Sequence, residues 1–286
     1  MENVQTKHSV HDLVSDQIID FLEQGIVPWQ TTFASSEVPA NLLTKRQYRG
    51  INVLLLAAPE YERNYFLTEP QIERIRAYVR RGQKPHIVID GVGFRSLRPY
   101  EVYNVSQCED IPNKLFSKPL PKREPLEIFK GILSKLDHSP RIVHSPELPY
   151  YLLSEDIMHM PPIDYIGFQH EFLALFYKQL IVMTQHESRL DRTELVEYAS
   201  FDRDAFALEE LIIEIGSWYL RSYTGIDVKM HLEPHYFQYW IERVKENSRL
   251  AFTAAEMAQK AVEYVLGTPF NEVEAIDYVE DEMLPF

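Results

Sequence analysis

One cysteine, Cys108, in 286 residues excludes an internal disulfide framework and any zinc site built on paired thiolates. The opening MENVQTKHSVHDLV has acids and histidines where a secretory leader has its apolar centre. The longest nearly apolar stretch, Ile51 to Pro59, is about half the ~20 residues that cross a bilayer. A soluble cytoplasmic protein with no membrane partner is therefore expected. Positive charge is scarce as well: 29 Lys+Arg stand against 43 Asp+Glu, a net charge of −14, which on average disfavours nucleic acid.

The average conceals a split. Residues 1–125 hold 16 basic and 15 acidic side chains, the remainder 13 and 28, and residues 45–98 alone hold 11 basic against 5 acidic. Such asymmetry points to two units with different partners. A hydrophobic share of 45% gives each unit enough apolar surface for a core of its own.

Apolar residues at helical spacing predict a helix over Val10–Gln24, with Ser9 and Asp12 as a cap and Gly25 as a stop. Thr68 and Gln71 form a second capping signature, for a helix over Glu69–Arg81 closed by Gly82. Strands are expected at His86–Asp90 and Arg98–Val105, and four prolines between Pro112 and Pro125 read as a linker. Further strands are expected at Arg141–His144 and Tyr150–Leu153, and Glu187–Arg192 reads as a polar loop. Helices are expected over Glu171–Gln185, Asp204–Tyr223, His235–Asn247 and Ala254–Leu266, the last with a Thr253/Glu256 cap. The segment Asn271–Asp281 is acidic. The fold class is α+β in two domains: a small mixed α/β N-terminal unit (1–112), a linker (113–125) and a mainly helical C-terminal unit with a short sheet (126–286).

Segment 45–98 interleaves Lys45, Arg46, Arg49, Arg80, Arg81, Lys84, Arg95 and Arg98 with Tyr48, Tyr61, Tyr65, Phe66, Tyr78 and Phe94. Single strands are gripped by this combination, cations for phosphates and aromatic faces for bases. A packed core under a solvated basic face is the alternative. Four ordered runs resemble the N-terminal domain of ArdC-type antirestriction proteins: Val27-Pro28-Trp29, Tyr48-Arg49-Gly50-Ile51-Asn52, Val79-Arg80-Arg81-Gly82-Gln83-Lys84 and Tyr103-Asn104-Val105-Ser106-Gln107-Cys108. The resemblance implies binding of single-stranded DNA, with Trp29, Arg46, Tyr48, Arg49, Asn52, Arg80, Arg81 and Lys84 as the contacting residues. Cys108 is expected to be a small core residue.

The C-terminal half resembles the zincin-like metallopeptidase domain of the same family through Pro149-Tyr150-Tyr151, Met160-Pro161, Thr184 to Arg192, Glu209 to Gly216 and Tyr239-Trp240. That class uses H-E-x-x-H on a helix, because positions i and i+4 share a face and clamp one metal. Registered on the Thr184–Arg192 run, the three positions hold Lys178, Gln179 and Val182. A charged lysine cannot ligate, glutamine is no base and valine offers no donor. His231 and His235 have ligand spacing, but Pro234 between them disfavours a helix. No catalytic residue, metal or cofactor is expected, and Glu210 or Glu214 is expected to pair with Lys178 or Arg189.

The expectation is a mobile-element (plasmid or phage) counter-defence protein whose front unit binds single-stranded DNA and whose rear unit is a pseudo-metallopeptidase. The alternative is an acidic, DNA-mimic-like inhibitor whose partner is a host restriction or CRISPR nuclease. An active metallopeptidase ranks third.

Overall fold

The computed structural model describes residues 9–31, 38–90, 97–116, 124–145, 149–162, 169–226, 228 and 234–267. The front half contains α1 (Val10–Glu23), β1 (Ala40–Asn41), α2 (Ile51–Ala57), β2 (Tyr65–Leu67), α3 (Glu69–Arg74), β3 (Tyr78–Val79), β4 (His86–Asp90), β5 (Arg98–Asn104) and β6 (Cys108–Glu109). The rear half contains α4 (Pro125–Leu133), β7 (Arg141–His144), β8 (Tyr150–Leu152), β9 (Ile157–Met160), α5 (Gln169–Met183), α6 (Thr193–Ala199), α7 (Arg203–Thr224), α8 (Pro234–Glu246) and α9 (Leu250–Leu266). It is a mixed α and β architecture with short sheets, in keeping with the α+β expectation.

Local chemistry starts the elements where the spacing predicts. Asp12 N–H donates to Ser9 Oγ at 3.1 Å and Ser9 N–H to Asp12 Oδ2 at 2.9 Å, the reciprocal cap of α1. Thr68 and Gln71 form the same cap on α3. The helix they start does not run on to Arg81, however. It ends at Arg74, Arg76 turns the chain at φ +60°, and Tyr78–Val79 pairs antiparallel with Cys108–Glu109. Val79 satisfies a strand's inward position as well as a helix's third apolar site, and pairing with a distant segment overrides the local spacing. At α9 the Thr253/Glu256 cap is absent, because the helix already begins at Leu250 and Thr253 N–H donates to Arg249 O within it. Helix α6 and the central strand β9 were not expected, and α4 starts where the linker was expected to end.

A sheet of order β1-β2-β5-β4 and the β3–β6 ribbon form the front unit; a sheet of order β7-β9-β8 leads into the rear helices. One apolar core runs through both halves. Val14 and Ile18 of α1 and Ile51 and Leu54 of α2 join it beside Leu211 and Ile215 of α7 and Ala254, Ala258 and Ala261 of α9. Buried alanines along α9 let α7 approach closely. Helix α2 is apolar except at Asn52 and is buried on two sides, since Leu56 on its other side packs on Phe66, Val88 and Val102. A smaller core of Leu42, Leu67, Ile72, Ala77, Val105 and Cys108 lies under the ribbon. Cys108 is 4% exposed and burial pushes its thiol up to about 11, so it is an inert core residue. Among the described residues no helix is long and apolar enough to cross a membrane. Phe94, Arg95, His231, residues 117–123 of the Pro112–Pro125 stretch and Asn271–Asp281 lie outside the described residues.

Candidate nucleic-acid interface and the α5–α7 pocket

Helices α5 and α7 pack side by side and bring three polar residues of the candidate metal region together. Lys178 Nζ donates to Glu214 Oε1 at 2.8 Å. Glu210 lies one turn before Glu214, and burial, followed by the charge of Glu214, holds its carboxyl above the ordinary carboxylate range, with Lys178 pulling the other way. Tyr236 of α8 closes the pocket: burial and the nearby Glu214 push its hydroxyl up to about 12, and its oxygen accepts from Trp29 Nε1 at 3.0 Å. Gln179 is buried with Nε2 aimed at Pro149 O, at 3.4 Å, and Val182 is half-buried.

These residues do not fit a divalent metal. A protonated lysine has no lone pair to give, its charge already neutralises Glu214, and neither glutamine nor valine replaces the missing imidazole. Among the described residues no group of three or more His, Cys, Asp or Glu side chains is placed to hold a metal ion. Of the pairings expected here, Glu214 with Lys178 forms. Arg189 turns elsewhere, to both carboxylate oxygens of Asp156 at 2.8 and 2.9 Å.

The Thr184–Arg192 run is structural. Arg192 reaches Glu209 of α7 at 2.8 Å in a pair whose side chains are 5% and 7% exposed, and Gln185 Nε2 and Thr184 Oγ1 complete the network at 2.7 and 2.8 Å. It ties the loop after α5 to α7. Adjacent helical residues point about 100° apart, and of the two Glu209 lies nearer the face of Leu208 and Ile212, which makes it rather than Glu210 the buried partner.

In the front unit the expected DNA-contacting set divides. Trp29 is 0% exposed and lies edge-to-face on Trp240, centroids 5.7 Å apart, so it offers no face to a base. Asn52 is a bracket for β4: its amide donates to Ile89 O and accepts from Ile89 N, both at 2.7 Å. Arg49 forms an ion pair with Glu263 of α9, a carboxylate that also accepts from Gln259 Nε2 at 3.0 Å. Gly50 N–H donates to Gln259 Oε1 at 3.3 Å, and Tyr219 OH donates to Gly50 O at 3.0 Å. Arg49 and Gly50 thus sit on a seam between the two halves, while Asn52 braces β4 within the front one. Tyr48 is half-buried, edge-on to Phe66.

Four residues of the expected set remain. Arg46, Arg80, Arg81 and Lys84 are exposed. Arg46 follows β1, and the other three follow β3, on segments that border the same small core. Arg80 has Glu109 at 3.4 Å; among the described residues no ion pair holds Arg46, Arg81 or Lys84. Lys84 O accepts from Gln107 Nε2 at 2.8 Å, which fixes the turn into β4. Among the described residues of this segment, Tyr78 is the aromatic that the structure leaves open, at 52%.

Known proteins share this arrangement along most of its length. Residues 8–109 match the family profile described as the N-terminal domain of anti-restriction factor ArdC, and residues 136–257 match that of a zincin-like metallopeptidase. The crystal structure of antirestriction ArdC from plasmid R388, bound to Mn(II), superposes with a TM-score of 0.74 at 29% identity, covering 92% of this chain and all of that one. Its metal-free form gives 0.72 at 28% identity, over 90% and 97% of the two chains. Protein y4eC of Sinorhizobium fredii is 25% identical over 91% of this chain and 92% of its own. DNA primase TraC of Escherichia coli is 26% identical over 94% of this chain, which spans only 28% of that protein. With both units matched in order and the fold shared from end to end, the chain belongs to the ArdC-like antirestriction family, an ArdC-type N-terminal domain followed by a zincin-like domain.

Proposed function

We propose that this chain is a counter-defence protein of a mobile element, that its front unit binds single-stranded DNA, and that its zincin-like unit serves as scaffold without hydrolysing peptides. The observation that carries the reading is the contrast between two clusters of charge. On the β3–β4 turn, Arg81 and Lys84 stand exposed with no ion pair among the described residues; between α5 and α7, the cation is the protein's own Lys178, paired with Glu214 at 2.8 Å. Phosphates can neutralise the first cluster, whereas Lys178 in the second already has its acid partner.

Two measurements test it. Labelled oligo-dT should bind with an affinity that falls as salt rises, and Arg81→Ala/Lys84→Ala should weaken binding for every sequence and flatten the logarithmic salt slope by about 1.4, at ~0.7 per phosphate contact on a single strand. An unchanged slope would remove these two residues from the interface. Metal analysis of the purified protein should find substoichiometric zinc and manganese, and casein should stay intact with or without EDTA. Stoichiometric metal or chelator-sensitive cleavage would overturn the scaffold reading.

One observation favours a second reading, an acidic inhibitor of a host restriction or CRISPR nuclease. At the α6–α7 corner Tyr198, Phe201 and Phe206 are 56%, 71% and 52% exposed, among exposed Glu194, Glu197, Asp202 and Asp204. Exposed aromatics ringed by carboxylates suit a basic protein surface. That reading predicts no oligonucleotide binding, and loss of nuclease inhibition in Phe201→Ser.

A further inference from the structure

Of the aromatics interleaved with cations in the front unit, the fold hides most. Phe66 is fully buried, Tyr48 and Tyr61 pack edge-on to it, and Tyr65 carries Lys45 over its ring at 5.2 Å and Phe116 against its edge. Tyr78 differs. Strand alternation turns Val79 into the small core and sends Tyr78 and Arg80 to the other side of the ribbon. Glu109, directly opposite in the register, accepts from the Tyr78 hydroxyl at 2.6 Å and holds Arg80 at 3.4 Å. The phenol is therefore tethered while about half of its surface stays open. Arg74, Arg76, Arg81 and Lys84 flank it, all exposed, with no acid between positions 74 and 84 and no ion pair on these four among the described residues.

From this juxtaposition we infer that Tyr78 is the base-stacking platform of the front unit, with the flanking arginines and Lys84 holding the phosphates on either side of the stacked nucleotide. The inference rests on the single-stranded DNA reading above and adds the residue that distinguishes an unpaired strand from a duplex. A duplex keeps its base faces covered, whereas a single strand can lay one on an aromatic ring. Because the hydroxyl is tied to Glu109 in the absence of DNA, the ring loses little rotamer freedom on binding.

The test uses the full chain and a short oligo-dT. Tyr78→Leu should lower affinity roughly 5- to 150-fold, the range measured for loss of one stacked base, while leaving the salt slope as in the unaltered protein. Tyr78→Trp should restore binding. Trp29, Trp218 and Trp240 are buried, so the added exposed indole should show its own red-shifted emission, quenched by oligo-dT and left bright by an abasic strand of the same length. Wild-type affinity in Tyr78→Leu, unquenched Tyr78→Trp at saturating oligo-dT, or equal affinity for duplex would overturn the platform. Failure of the unaltered protein to bind oligo-dT at low salt would instead remove the DNA reading itself, and the platform with it.

Discussion

Arg192→Met should lower the free energy of unfolding by about 3–5 kcal/mol, read as a shift of the urea midpoint at constant slope. The substitution leaves Glu209, 7% exposed and in contact with Gln185, as a carboxylate facing a thioether inside the helical unit. Little of it is open to water, and the bond from the Gln185 amide remains while those that Arg192 supplies to its two oxygens at 2.8, 3.0 and 3.3 Å are lost. Removing both partners in Arg192→Met/Glu209→Leu should recover most of the loss, since what costs is the unpaired charge rather than the absent pair. A loss below about 1 kcal/mol in the single variant would put this pair in the class of solvated surface bridges, against its burial.

Gly50→Ala should cost about 3 kcal/mol or more and lower the thermal midpoint by several degrees. Gly50 adopts φ +51° with ψ −133°, a conformation that a side chain resists at about 1–3 kcal/mol. A Cβ built there would also fall 1.9 Å from Glu256 Oε1. Glu256 is held in place by the backbone N–H of Ile51, so moving it leaves that donor at the start of α2 without its acceptor, a further ~1–3 kcal/mol. Gly50→Ala/Glu256→Ala relieves the clash and keeps the backbone strain, so it should recover only part of the loss. Full recovery would show that the backbone conformation carries no strain.

The same seam explains why the front-unit site was read only in part. Arg49, Gly50 and Asn52 look like a phosphate cradle in the sequence, an arginine and a glycine with an amide beside them. Their partners, Glu263, Gln259 and Ile89, lie 214, 209 and 37 residues away, and no local pattern announces them. Trp29 misleads for the same reason: its burial depends on Trp240 and Tyr236, which arrive from the far end of the chain. Arg81 and Lys84 stay exposed because they sit on a tight turn around Gly82, and turns carry their side chains outward whatever the tertiary partners are. Lys178 and Val182 share one face of α5, where helical spacing alone puts them.

What the sequence determined by itself is what neighbours within a few residues govern: the caps at Ser9 and Thr68, the strands at His86–Asp90 and Arg141–His144, and the long rear helices. Only the tertiary structure decided which of two carboxylates one turn apart Lys178 would meet, that α3 would stop at Arg74 so that Tyr78 could face out from a ribbon, and that Arg49 and Gly50 would join the halves. The physical reason is that hydrogen bonding within a helical turn needs no other part of the chain. Burial and ion pairing do, and their free energies exceed the local preferences wherever distant segments meet.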